Sequence, residues 1–181
     1  MKKVFLISSL ALILSSCVVV STTGKVVKTA VKTTAKVVKG TVKGIAWTVR
    51  KAEGEINENR INGKWKVVGV YDGDYNQFEK DNDPDNSFES KCSSGFEQII
   101  FNTKKSKFQP FHCSTEKEDQ VKYKYKFGKN PQTKEKENYL KYNSNHTISV
   151  IDVTSKTMVI ESELVFGNQL PKRRLFLLEK E

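Results

Sequence analysis

From Val121 to Phe127 the chain alternates without a break. Val121, Tyr123, Tyr125 and Phe127 are apolar or aromatic, and Lys122, Lys124 and Lys126 separate them. Successive side chains of a strand point to opposite faces, so this order predicts a strand buried on one side only. The same period recurs, in shorter form, from Asn62 onward. Lys64 to Tyr71 puts Trp65, Val67, Gly69 and Tyr71 on one face. Further candidates are Phe96 to Asn102, Lys107 to Cys113, Asn138 to Tyr142, Thr147 to Val153, Thr157 to Val165 and Arg174 to Lys180. Turn signals separate most of them: Asn143-Ser144-Asn145, Thr154-Ser155, and Gly167-Asn168 ahead of Pro171. Eight short strands with no convincing helix between them predict an all-β fold. Antiparallel strands must hide their edges, and an eight-stranded up-and-down barrel over residues 62–181 does so completely. A β-sandwich is the alternative. An eight-stranded barrel encloses an interior that side chains fill or that holds one small ligand. Val67, Tyr71, Tyr123, Tyr125 and Phe127 are the expected lining.

The amino end has a different character. Lys2 and Lys3 precede an apolar run from Val4 to Leu14, the length of a signal h-region and too short to span a bilayer. Leu14-Ser15-Ser16-Cys17 then resembles the lipobox of bacterial lipoproteins. That resemblance implies cleavage before Cys17 and attachment of lipid, palmitate included, to that cysteine. The expected segments are a signal peptide over 1–16, a lipid-anchored linker over 17–61 and the barrel over 62–181. No Asp follows Cys17, which in a Gram-negative envelope points to the outer membrane.

The formal charge of +10 is not spread evenly. Between Val18 and Glu53 stand Lys25, Lys28, Lys32, Lys36, Lys39, Lys43, Arg50 and Lys51, and Glu53 is the one acid. The first six lysines follow a spacing of three or four, which is one face of a helix. A basic amphipathic helical linker beside a lipid anchor points to anionic head groups and not to nucleic acid. A flexible spacer is the alternative, because Val and Thr are β-branched and Gly40 and Gly44 weaken a helix. With Cys17 taken by lipid, Cys92 and Cys113 remain as an even pair in an oxidising compartment. One disulfide is the natural inference, and two reduced, buried thiols are the alternative.

Gly63 and Trp65, at the start of the first strand, resemble the G-x-W motif of lipocalins and smaller bacterial lipocalin-like domains. The resemblance covers roughly Asn62 to Lys180. It implies that Trp65 closes the barrel floor and that an Arg of the last strand, Arg174 by choice over Arg173, packs across the indole as a cation–π partner. The family's middle T-D-Y motif has no counterpart here, so the small lipocalin-like branch fits better than the large carriers.

Other candidates are weaker. Asp72, Asp74, Glu79, Asp81, Asp83 and Asp85 form an acidic loop after the first strand. It lacks the glycine and the bidentate Glu of a calcium loop, so a solvated loop over the barrel is expected. His112 and His146 have no third ligand placed by sequence, and no nucleophile or phosphate-loop motif is present. The expectation is therefore a non-enzyme without metal or cofactor. It would be held at the membrane and bind a small apolar ligand or peptide in or at the mouth of the barrel. The alternative is a protein–protein module resembling the periplasmic lysozyme inhibitors, with the acidic loop as the inhibitory surface.

Overall fold

The computed structural model describes residues 38–42, 45–164 and 171–181. Two short strands come first, β1 (Val38–Val42) and β2 (Ile45–Val49), paired antiparallel with Val42 opposite Ile45. Eight more follow: β3 (Gly63–Tyr71), β4 (Glu97–Asn102), β5 (Lys107–Cys113), β6 (Val121–Lys129), β7 (Lys136–Tyr142), β8 (His146–Val153), β9 (Thr157–Ser162) and β10 (Arg174–Lys180). They close into a barrel in the order β10-β3-β4-β5-β6-β7-β8-β9, with antiparallel neighbours throughout. The fold is the expected up-and-down barrel, and each alternating segment supplies one strand. Closure gives each barrel strand a paired neighbour on both sides.

The helical linker needs correction where the structure describes it. Residues 38–42 and 45–49 are strands, not helix. Val38, Thr41, Val42, Ile45, Thr48 and Val49 are β-branched; they lose side-chain freedom in a helix and suit a pleated pair. Lys39 falls in β1. Cys17, Lys25, Lys28, Lys32, Lys36 and Lys43 lie outside the described residues.

The interior is built from inward positions of every barrel strand. Trp65, Val67, Ile99, Phe101, Phe108, Phe111, Tyr123, Leu140, Ile148, Ile160, Phe176 and Leu178 belong to one buried cluster, joined by Ile56 and Ile61 from the segment before β3. Side chains of this size contribute about 1.5–3 kcal/mol each when fully buried. The outer wall carries a second cluster. Val159, Leu175 and Leu177 alternate with the inward residues of β9 and β10, so they face outward, and they pack with Val49, Ile151, Tyr75 and Phe78. Tyr75 and Phe78 come from α1 (Tyr75–Lys80), a short helix whose N-cap Asp74 forms a capping box with Gln77.

One β-bulge decides which face β3 presents. Leu177 pairs with Gly69 but Leu178 pairs with Val67, so β3 carries an extra residue there. An extra residue reverses the parity of everything beyond it. Val67 faces the interior, Val68 joins the outer cluster, Val70 returns to the interior and Tyr71 packs outside. Tyr71 is thus not barrel lining. Its ring meets Phe78 edge-on at 5.1 Å.

The barrel is strongly staggered between β5 and β6, whose ladder is only Lys107 with Lys122 and Phe108 with Val121. The segment ahead of β3 packs beside the part of β6 beyond this ladder. The Tyr125 hydroxyl donates to the Ile56 carbonyl (2.6 Å), with Asn138 Oδ1 also in reach (2.7 Å), and Tyr123 donates to Glu58 Oε1 (2.8 Å). Asn138 also receives the Ile56 amide at 2.8 Å.

Candidate functional site at the barrel mouth

At the end opposite Trp65, β3 leads through α1 into a loop that returns to β4. Two of its acidic residues, Asp81 and Asp85, serve its own backbone. Asp81 accepts from the Asp83 amide (3.1 Å) and from the Tyr71 hydroxyl (3.2 Å), and Asp85 accepts from the Ser87 amide (3.0 Å). These Asx turns are the ordinary use of Asp in a tight loop. The Val70 amide donates to the Asn86 carbonyl at 3.1 Å, tying the loop to the post-bulge end of β3. The disulfide Cys92–Cys113, with Cα atoms 5.6 Å apart, fastens the far side of the loop to β5. The expected pairing of the two cysteines is therefore the one present.

Held at both ends, the loop carries Phe88 over the rim. With Val70, Leu164 and Phe176 it forms the apolar wall of a cavity of about 330 Å³. Phe176 is itself backed by Phe111, with ring centroids 4.5 Å apart. Asp72, Glu89, Lys91 and Arg174 supply the charged edge. Asp72 receives Lys172 Nζ at 2.6 Å and Arg174 Nε at 2.9 Å. These bonds, the one from Lys172 first, hold the Asp72 carboxyl below the usual carboxylate range. An apolar pocket with a few convergent charged groups is the usual form of a small-molecule site.

The interior proper is filled, so the expected lining residues do not surround an open chamber. Val67 and Tyr123 are buried in the core, and Tyr125 packs against it. Burial above all pushes the Tyr125 phenol up to about 12, and pushes the Tyr123 phenol up further, with Glu58 adding to it. Phe127 is half-buried outside that cluster, with the Lys136 ammonium 5.1 Å from its ring centre.

The floor motif is present with a different cation. Trp65 is fully buried, and its Nε1–H donates to the Ile61 carbonyl at 2.8 Å. The charge over its ring is Lys180 Nζ, 5.0 Å from the centre. Arg174 sits at the mouth, because β10 runs antiparallel to β3 and Lys180, not Arg174, pairs with Trp65. Gly63 opens β3 at φ +121°, where an added Cβ would meet Lys180 Cε at 3.1 Å.

Sequence patterns gave no sign of a polar network on the outer wall. Glu137 Oε1 receives Asn130 Nδ2 (2.6 Å), Thr133 Oγ1 (2.6 Å) and Ser149 Oγ (2.8 Å). Arg173 pairs with Glu161 and donates to Ser149 Oγ at 2.9 Å, while Glu161 accepts from the Tyr75 amide at 3.0 Å. Lys51 closes the group by pairing with Glu135, and Glu137 Oε2 lies 3.7 Å away. Burial works against the Lys51 charge, but the bond to Glu135 and the neighbouring carboxylates outweigh it and hold its pKa above the ordinary lysine value. Each acceptor here has a donor, which is what a buried polar cluster requires. Among the described residues no group of three or more His, Cys, Asp or Glu side chains is placed to hold a metal ion.

No family model matches the chain, and no curated protein and no solved structure matches it. The barrel and the mouth geometry therefore carry the functional reading.

Proposed function

We propose that this chain is a lipocalin-like lipoprotein, anchored in a bacterial cell envelope through lipid on Cys17, that binds a small apolar ligand at the mouth of its barrel. The observation that carries the reading is the cavity of about 330 Å³ walled by Val70, Phe88, Leu164 and Phe176. Because the interior below it is filled, the ligand sits at the mouth and not within the barrel. Its apolar portion lies on Phe176 and Phe88, and a polar end reaches Arg174 or Lys91. The reading is of a binder, not of an enzyme. A protein–protein module directed through the acidic loop ranks second, since Asp72, Asp81 and Asp85 already accept bonds within the chain.

The test is titration of the full chain with a dansylated fatty acid, beside mass spectrometry of organic extracts of the purified protein. Saturable binding is expected, weakened about tenfold by Phe88→Asp, because a charge in the apolar wall has to be desolvated. The absence of both saturable binding and a co-extracted molecule would overturn the reading. Anchoring has its own check: metabolic labelling with palmitate should mark the chain and should fail to mark C17S. Unchanged lytic rates in a lysozyme assay would remove the second reading.

A further inference from the structure

A second concave site lies on the wall of the barrel, and nothing in the mouth reading uses it. It is a groove of about 450 Å³ formed where β6 and β7 meet the turn between β4 and β5. Five lysines line it: Lys105, Lys122, Lys124, Lys126 and Lys141. Among the described residues no acid lines it and none of the five lysines makes an ion pair.

The register makes this concentration costly. Lys124 stands directly opposite Lys141 on the β6–β7 ladder, and Lys107 directly opposite Lys122 on the β5–β6 ladder. Like charges in directly opposed positions destabilise a sheet. A face needed only for solubility would intersperse both signs, as most barrel strands could do without altering their buried side. An anion between the opposed ammonium groups would turn the repulsion into attraction.

The donor set narrows the anion. Among the described residues no arginine lines the groove, so no planar fork is offered to a lone carboxylate. Several ammonium groups act as separate point charges and suit an anion with many oxygens, as phosphate has. Tyr123 and Tyr142 give an aromatic edge, and Ser106, Asn143 and Ser144 add neutral polar groups at the rim. All three of these rim residues hold left-handed backbone angles, with φ of 47°, 41° and 63°. The geometry points to a binding site for a compact ligand carrying two or more phosphate groups, presented either on a lipid head group or free in solution.

The experiment uses the full-length chain and two probes. Sodium tripolyphosphate is titrated by calorimetry, and vesicles of phosphatidylcholine with about 10 % cardiolipin, a lipid with two phosphates, are compared with vesicles carrying the same charge as about 20 % phosphatidylglycerol, so that the basic linker contributes equally to both. The wild type should bind tripolyphosphate saturably, and Lys124→Gln with Lys141→Gln should weaken it about tenfold. Removing the opposed pair should leave the melting temperature unchanged or raise it, so the loss cannot be ascribed to unfolding. Lys80→Gln with Lys156→Gln, which removes the same charge outside the groove, should leave the affinity unaltered. If the groove variant also loses the preference for cardiolipin over phosphatidylglycerol vesicles of equal charge, the ligand is a head group; if it loses tripolyphosphate alone, the ligand is soluble. Equal weakening by both double variants, or binding that never saturates, would overturn the site. Tighter, groove-dependent binding of a mixed-sequence oligodeoxynucleotide would overturn the compact-ligand assignment in favour of a nucleic-acid track.

Discussion

Trp65 and its neighbours show how much a single residue can do in this barrel. Its indole is fully buried, its N–H is spent on Ile61 and its face is capped by Lys180. Trp65→Ala should cost about 3–5 kcal/mol in urea unfolding. Lys180→Ala should cost under about 1 kcal/mol, because an exposed cation–π contact is weak. Gly63→Ala should cost about 1 kcal/mol or more, since φ is +121° and the new methyl would press on Lys180. Equal losses in the Trp65 and Lys180 variants would contradict this ranking. The buried Trp beside a glycine was legible in the sequence from the Gly63-Lys64-Trp65 spacing. Its cation was not, because closeness to a strand start in sequence says nothing about which end of that strand meets Trp65. The antiparallel closure brings in the last residues of β10 and sends Arg174 to the mouth.

At the scale of elements, alternation and turn residues exposed all eight barrel strands, and the pair of cysteines left once Cys17 is set aside pointed to the disulfide. The bulge in β3 was hidden, because Val67, Val68, Gly69 and Val70 offer apolar or small residues to both faces and either parity satisfies the pattern. The β1–β2 pair was hidden for a related reason: lysine spacing suggested a helix while the β-branched residues between favoured strands. The Phe88 wall of the mouth was obscured by its acidic surroundings, since a lone aromatic in a charged loop gives no period to read. What holds the segment after β2 to the wall is the Lys51–Glu135 pair, together with the Ala52 amide donating to the Ile151 carbonyl at 2.9 Å. The bond from Lys51 first, then that from Asn76, holds Glu135 below its usual pKa. A depressed carboxylate contributes stability above its unfolded value of about 4.3, and that stability is lost as pH falls through the folded value. Lys51 is raised, so its contribution is complete below the ordinary lysine pKa and is lost only at strongly alkaline pH. The clamp should therefore hold through the neutral range and loosen first on acidification. The hydrogen-exchange protection factor at Ala52, taken against the intrinsic rate at each pH, should fall below about pH 4, and Lys51→Met should lower it likewise at pH 7 with a stability loss of about 1 kcal/mol. Slow exchange at Ala52 in that variant would show that the apolar outer cluster alone secures the segment.

The whole molecule divides its labour between a body that does not depend on the loop and a mouth that does. The barrel closes through eight antiparallel ladders, none of which includes the residues between Asp81 and Phe96. The mouth cavity takes Ser87, Phe88, Glu89 and Lys91 from that stretch, and the disulfide is its covalent tie to β5. Closing a loop whose ends are 21 residues apart in sequence removes conformational entropy from the unfolded chain, which contributes about 3 kcal/mol. Cys92→Ser with Cys113→Ser should thus lower global stability by about 2–3 kcal/mol while the far-ultraviolet spectrum of the barrel persists. The same change frees the Phe88 wall, so a fatty-acid probe should bind at least several-fold more weakly, through the entropy of ordering the loop again on binding. The lysine groove takes no residue from the loop, so tripolyphosphate affinity should be untouched. Parallel loss of both affinities would mean that the two sites share one cooperative unit, and the separation of body from mouth would fall. Loss of neither would place the fatty-acid site somewhere other than the cavity beneath Phe88.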